Sequence, residues 1–490
     1  MSWRLLTSSC LTAVLGAVLM APAPAATAAQ AGLVASVPIA GGADAVAASG
    51  NVVAVTSKGA RTVSVVDATT LAVRWTTPVP LVPGEVILST DAALAYVLAY
   101  QPNQNDPNRA EFNSIYVLDT ASGTVVRSAS YLPVRGKSCD GTMSLRDLTI
   151  SPDGRRLDAV AEGCGSNVEI WTIDPVTLAV TKQVILLSGF LVGIGRPIGS
   201  MASFDDRLLT LAYVQVFKCP DVDGCPQPDV LVTLTDDLRE GPETGPVQIG
   251  GTLVRDPVDG KVIAPTPTTK WIEYSPIPAA QSLIRFDPVT GAQLGRIDGI
   301  GTQVTGLQVD AAARRLYAMR SPSYPGWPAL PTSIGVVDLV TGAVLGELPV
   351  AAYRALAVGN GRVYLATSAG LEVIDPSRAL APSAPASLKV RIGPGGKGSV
   401  KLAVTFRPPV AKGSAAITGY RVDAYAQDPG NMNGSLQGTA KCSTPKPTCT
   451  LKLKKVSTSD DLTPAMYTVI VRAVNANGPG AAGELSVEAK

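Results

Sequence analysis

The side chains able to do chemistry are few in kind, because the chain contains no histidine. That excludes Ser-His-Asp and Cys-His nucleophilic catalysis, histidine-ligated zinc and imidazole proton shuttling. Carboxylates remain as general acids and bases. A pair of them facing each other across a cleft, roughly 5–9.5 Å apart, suffices for glycoside hydrolysis. Seven aspartates recur behind short apolar strands: Asp67, Asp119, Asp174, Asp236, Asp287, Asp338 and Asp375. Turn residues follow, as in Thr120-Ala-Ser-Gly123 or Pro288-Val-Thr-Gly291. An aspartate at a strand end accepts backbone N–H groups and fixes a turn, so this recurrence reads as a folding device rather than as catalysis. Asp221-Val-Asp223-Gly224 has part of a calcium loop, but the later ligands and the bidentate Glu are out of register. No Gly-rich phosphate loop opens a helix. No cofactor and no metal ligand set is expected.

A second group of candidates is polar or aromatic. Trp271 and Tyr274 stand near Lys270 and Glu273, and Tyr324 and Trp327 near Arg320. Aromatic planes suit sugar rings, peptides or protein partners, and they serve equally to pack a loop against itself. Asp44, Glu85, Arg146, Asp147 and Arg354 precede or begin short apolar strands. They form either a polar ligand site or a ring of mutually satisfied ion pairs. Six cysteines lie beyond residue 28: Cys139, Cys164, Cys219, Cys225, Cys442 and Cys449. Nearest-neighbour pairing gives bridges 139–164, 219–225 and 442–449, one of fifteen formal connectivities.

These residues need a scaffold, and the spacing of the aspartates describes one. Successive intervals are 52, 55, 62, 51, 51 and 37 residues. A period near fifty with about four short strands per repeat is the signature of propeller blades. Within each repeat we expect strands a to d from the axis outward, the aspartate closing c. The seventh repeat runs into Pro-rich sequence after its third strand, and an orphan strand at 33–39 precedes the first repeat. Placing the orphan in the last blade closes the ring and removes an open edge. The b–c loops are long at 101–113, 218–229, 265–280 and 321–333, all on one face. Long loops on a rigid scaffold are where binding residues concentrate.

With Ser151-Pro-Asp-Gly154 and the seven Asp turns, the repeat region resembles the YVTN-type and related WD40-like seven-bladed β-propellers. Past a low-complexity linker at 378–387, the chain resembles a fibronectin type III domain. The residues carrying that likeness are Leu402-Ala-Val404-Thr-Phe406-Arg-Pro408-Pro409, Ile417-Thr-Gly-Tyr420-Arg-Val422, Leu462 and Tyr467-Thr-Val469-Ile-Val471-Arg-Ala473-Val-Asn475. Phe406 stands where that family usually has Trp. The expected fold is all-β: a propeller at 29–377 with its N-terminal strand closing the last blade, then an immunoglobulin-like sandwich at 388–490. The resemblances imply an extracellular spacer or adhesion module. They also imply a second option, because propellers host glycosidases and fibronectin type III modules accompany carbohydrate-active enzymes.

Residues 1–28 have the form of a secretory signal: Arg4, an apolar run at 11–20 and a small-residue Ala26-Thr-Ala28 site. The apolar run is too short to span a bilayer. Export to an oxidising setting also favours disulfides. Charge divides unevenly. Residues 383–490 hold 14 Lys+Arg against 6 Asp+Glu, whereas residues 29–382 carry −7. A basic module containing Lys452, Lys454 and Lys455 suits an anionic cell-envelope polymer or membrane surface, or is simply a solvated face. Nucleic acid is not an expected partner. The function expected first is a secreted binding or scaffold protein presenting a loop face to a protein, peptide or glycan. The alternative is a secreted carboxylate-based polysaccharide hydrolase or its accessory protein.

Overall fold

The computed structural model describes residues 32–102, 110–131, 144–162, 168–185, 201–205, 207–212, 230–235, 252–266, 269–272, 275–278, 281–301, 304–320, 333–350, 353–396, 399–428, 431–443, 447–454 and 466–488. The fold is all-β, and a single-turn 3-10 helix at Pro376–Arg378 is the only helix among the described residues.

Seven small antiparallel sheets follow one another along the chain. Sheet one holds Ala45–Ser49, Val52–Ser57, Thr62–Asp67 and Val73–Pro78, hydrogen-bonded in that order. Sheet two holds Val82–Leu88, Leu94–Pro102, Ala110–Asp119 and Val125–Tyr131. Sheet three holds Ser144–Ile150, Leu157–Glu162, Val168–Ile173 and Val180–Ile185. Sheet four has three described strands, Met201–Ser203, Arg207–Ala212 and Val230–Thr235. Sheet five holds Val254–Arg255, Val262–Pro265, Gln281–Phe286 and Gln293–Gly301. Sheet six holds Val304–Asp310, Arg315–Arg320, Ser333–Asp338 and Val344–Pro349. Sheet seven holds Ala355–Gly359, Arg362–Thr367, Gly370–Ile374 and, as its fourth strand, Leu33–Pro38.

The burial pattern explains the sequence pattern. Second strands such as Val52–Ser57 are buried along their whole length, whereas fourth strands such as Val73–Pro78 alternate with solvent. Continuous apolar runs therefore lie between sheets, and alternating ones lie at the rim. The core is divided into slabs between adjacent sheets. Val63 and Val65 pack with Val86 and Val97, Tyr96 and Ile115 with Leu157 and Trp171, and Tyr317 and Val336 with Leu356 and Leu365. One slab joins the last sheet to the first, through Val46, Val53 and Val55 against Tyr364, Leu371 and Val373. The first strand of each sheet contacts the first strand of the next, and that of sheet seven contacts that of sheet one.

Leu33–Pro38 runs antiparallel to Gly370–Ile374, with Leu33 opposite Ile374 and Val37 opposite Leu371. Polar links join neighbouring sheets in the same cyclic order. Trp75 Nε1 donates to Thr120 O at 2.9 Å, Tyr131 Oη to Leu178 O at 2.8 Å, and Arg156 Nη2 to Phe204 O at 2.8 Å. The Arg255 guanidinium lies 5.2 Å over the Phe204 ring, and Arg314 grips the buried Asp256 carboxylate at 2.6 and 3.0 Å. Gly361 N donates to Asp310 Oδ2 at 2.7 Å, and Arg362 Nη1 to Ala68 O at 2.6 Å.

Two of the expected long loops are partly regular. The ladder of sheet two continues through Gln101–Phe112 and Pro102–Ala110, so much of 101–113 is strand. Thr269–Ile272 and Ser275–Pro278 pair as a hairpin of their own inside 265–280. In both, backbone groups that a surface loop would leave to water are paired. Residues 218–229 and 321–332 lie outside the described residues.

Beyond residue 385 a three-stranded sheet (Ala386–Pro394, Ser399–Arg407, Thr448–Lys454) and a four-stranded sheet (Asn431–Ser443, Gly419–Asp428, Met466–Asn475, Gly478–Glu488) share one core. Leu402, Val404 and Phe406 meet Tyr420, Val422, Tyr467 and Val471, and the Phe406 and Tyr420 rings touch edge to face at 4.7 Å. The segment read as a linker is held from both sides. Ala381 exchanges both backbone hydrogen bonds with Glu347 of sheet six, at 2.9 and 2.6 Å. Leu380 O accepts from Ser414 N at 2.8 Å and from the Asn475 and Asn477 side chains at 3.0 Å each. Ala481 N donates to Pro382 O at 3.0 Å. The fully buried Glu347 forms an ion pair with Arg320 beneath this strap.

Candidate functional site

The first strands of sheets two to six surround a cavity of about 520 Å³. Its wall is mainly polar where side chains reach inward: Glu85, Asp147, Ser203, Arg255, Thr305 and Gln308. Three of these come from β-bulges. In sheet two the pairing jumps from Pro83–Ala99 to Val86–Val97, so Gly84 and Glu85 face the single residue Leu98. In sheet three it jumps from Arg146–Val160 to Thr149–Asp158, which sets Asp147 and Leu148 against Ala159. In sheet six it jumps from Val304–Arg320 to Gly306–Met319, leaving Thr305 over. A bulge breaks the two-residue alternation and re-aims a side chain. Here Glu85, Asp147 and Thr305 are all turned to the same cavity.

Asp147 adopts φ 49°. The left-handed region costs a non-glycine residue about 1–2 kcal/mol, so this backbone is held there by its surroundings. Next to it, Leu148 N donates to Glu85 Oε2 at 2.9 Å and ties the two bulges together. Glu85 keeps a limited opening to solvent but is otherwise enclosed by the walls. That burial pushes its carboxyl up from its ordinary value to about 8; the Leu148 N–H opposes the rise and the negative charge of Asp147 adds to it. At neutral pH Glu85 is therefore mostly a neutral acid that can donate one hydrogen bond while accepting others. Across the cavity, the Arg255 Nε–H is buried and has no hydrogen-bond partner among the described residues.

The remaining candidates fall as follows. Arg354 is exposed and pairs with Asp44 at 2.7 Å, and Asp44 also accepts the Lys58 N–H at 2.7 Å. Here the ion-pair alternative holds, away from the cavity wall. Arg146 lies on a strand and Trp271 on the inserted hairpin, with side chains outside the described residues, as are Tyr274, Tyr324 and Trp327. Cys139, Cys164, Cys219 and Cys225 also lie outside them. Cys449 is disulfide-bonded.

The recurrent aspartates fix turns. Asp67 Oδ1 accepts the N–H groups of Thr69 and Thr70 at 2.9 and 2.8 Å, and Asp119, Asp174, Asp287 and Asp338 repeat the arrangement. Backbone and side-chain donors hold these carboxyls below the usual range. Asp236 lies outside the described residues. An eighth copy stands outside the sevenfold spacing. Asp256-Pro-Val-Asp-Gly260 makes the same turn between the first two strands of sheet five, with Gly260 N on Asp256 O at 2.9 Å. Its spelling matches Asp287-Pro-Val-Thr-Gly291, so the signal was present. Among the described residues, no three Cys, Asp or Glu side chains gather as metal ligands.

No protein-family model matches the sequence, and no curated protein does. The cavity presents a carboxylic acid on one wall, a guanidinium on another, and hydroxyl and amide groups around them. That set orients a polar molecule by hydrogen bonds of both senses.

Proposed function

We propose that the chain is an exported binding protein built on a seven-bladed β-propeller, and that its axial cavity holds a small polar ligand such as a sugar unit or a peptide end. The convergence of three bulged residues, Glu85, Asp147 and Thr305, on one cavity carries this reading. Bulges and left-handed backbone cost stability, and their alignment on a single space is accounted for by recognition rather than by folding. The propeller reading is supported by the cyclic contacts of the first strands, by the slab joining sheets seven and one, and by the place of Leu33–Pro38 in sheet seven. The fibronectin type III reading is supported by the three-plus-four sheets around Phe406, Tyr420 and Tyr467. Export is supported by the form of residues 1–28 and by the disulfide at Cys449, for which Cys442 on the adjoining strand is the proposed partner. N-terminal sequencing of the protein from culture medium should begin at Ala29. The cavity volume suits a disaccharide or dipeptide, within the roughly 300–1,000 Å³ of ordinary ligand sites.

The test is calorimetric titration of the intact protein with panels of mono- and disaccharides and of dipeptides. A ligand should appear whose affinity falls about tenfold or more in Glu85→Gln or Arg255→Met, the range for losing a hydrogen bond to a charged or buried group. Binding that ignores both substitutions moves the site to the loop face. One observation favours a second reading, hydrolysis. A carboxyl raised to about 8, with the charge of a second carboxyl contributing to the rise, supplies the general acid that a glycosidase requires. Release of reducing ends from polysaccharide, lost in Asp147→Asn, would replace binding by catalysis.

A further inference from the structure

The outer face of the three-stranded sheet in the C-terminal unit is basic to a degree that its fold does not require. Its strands, Ala386–Pro394, Ser399–Arg407 and Thr448–Lys454, contain no Asp or Glu. Their cations, Lys389, Arg391, Lys401, Arg407, Lys452 and Lys454, fall at alternate positions. Val390, Ile392, Leu402, Val404, Leu451 and Leu453 face the core from the intervening ones. By the period of two, Lys389, Arg391, Lys401, Arg407 and Lys452 stand on the opposite face. Lys389, Arg391, Lys401, Arg407 and Lys452 are exposed, and among the described residues none of these five makes an ion pair. The acidic Asp423 belongs to the other sheet and is engaged there with Arg421 and Arg472.

Register makes the arrangement more pointed. Lys401 lies directly opposite Lys452, and Ser399 opposite Lys454. Like charges directly opposite each other in an antiparallel pair are destabilising. Lysines on outer strands can be explained as guards against edge-to-edge pairing. That explanation does not reach Lys401 and Arg407, which sit on the central strand.

We infer that this face is a docking surface for an acidic polysaccharide, a linear sugar chain bearing one carboxylate per repeat. Along a strand, alternate residues are about 6.6–6.8 Å apart, and neighbouring strands about 4.8 Å. The cations thus trace a path from Lys389 and Arg391 across Lys401 to Lys452, with steps comparable to the charge spacing of a uronate chain. Between them stand the exposed hydroxyls of Thr405, Thr448 and Thr450, which donate to anionic or hydroxyl oxygens. No aromatic or large aliphatic side chain projects from this face on the described strands to enter a bilayer, which favours a polymer over a lipid surface. The inference goes beyond the cavity reading and does not depend on it.

The test measures binding of the intact protein to polygalacturonate, with polyphosphate, phosphatidylglycerol vesicles and duplex DNA alongside. Polygalacturonate should bind at low salt, with affinity falling steeply as salt rises, as counterion release requires. The Lys401→Glu/Lys452→Glu double variant should weaken binding about tenfold or more at unchanged circular dichroism and melting temperature. Arg155→Glu, on sheet three's first turn and 87% exposed, should change it by less than about twofold. Absence of binding to polygalacturonate, or equal losses in the two variants, overturns the inference. Binding to polyphosphate, vesicles or DNA without binding to polygalacturonate overturns it in favour of that partner.

Discussion

Glu85 is the residue on which most can be measured. Its carboxyl sits at about 8 in the folded chain against about 4.5 for the ordinary side chain. A raised acid binds its proton more tightly when folded, so its stabilising contribution is complete below about pH 4.5 and is lost as pH rises through about 8. Glu85→Gln should therefore flatten the decline of melting temperature between pH 5 and 8; equal slopes in both proteins would mean that the group titrates normally. Asp147→Asn removes one cause of the rise, and the Glu85 carboxyl resonance should then titrate at lower pH. None of this was legible in the sequence beyond the bare position. The chain marks Glu85 and Asp147 as charges near strand starts, but the bulges that bring them together depend on cross-strand register with Leu98 and Ala159. Register is a long-range property that a local pattern does not contain.

At the scale of elements the sequence was more informative, because turns are local. Gly123, Gly291 and Gly342 all have positive φ and return their N–H to the aspartate carbonyl four residues back. Gly342→Ala should cost about 1 kcal/mol in chemical denaturation, the price of a Cβ in the left-handed region. Leu71 and Leu178 occupy the same corner at φ 61° and 58°. There the side chains pack against the core slabs, which offsets the backbone cost. The depressed turn carboxyls act opposite to Glu85: their contribution is present above about pH 4 and lost as pH falls below it, so an acid-unfolding limb should appear there. The orphan strand was also readable, since its apolar run had no repeat of its own. Deleting residues 33–38 should lower the melting temperature by several degrees, for it exposes Leu371 and Val373; an unchanged transition would show the seventh sheet to be self-sufficient. Loop 101–113 misled because its continuing ladder lacks the simple apolar alternation of a strand.

Across the whole molecule, the sequence described two units and a Pro- and Ala-rich tether, and composition gave no hint that the tether is gripped. Ala381, Leu380 and Pro382 supply backbone groups to both sides, and Gly480 admits the strap where a Cβ would collide with Pro382 O. Gly480→Ala should loosen the junction, read as faster proteolysis after residue 378 with each unit still folded. Glu347→Ala would leave Arg320 buried without its counter-charge, a loss of about 3–5 kcal/mol. If these variants behave as wild type, the strap is an ornament of packing rather than a coupling.

The pairing of Leu33 with Ile374 also governs timing. A nascent chain presents its first strand hundreds of residues before the acceptor exists, so the ladder at that seam can form only after nearly the entire repeat region has been synthesised. Until then the first strand offers a bare hydrogen-bonding edge to any neighbour. The seam is thus the last ladder of the seven sheets that synthesis makes available.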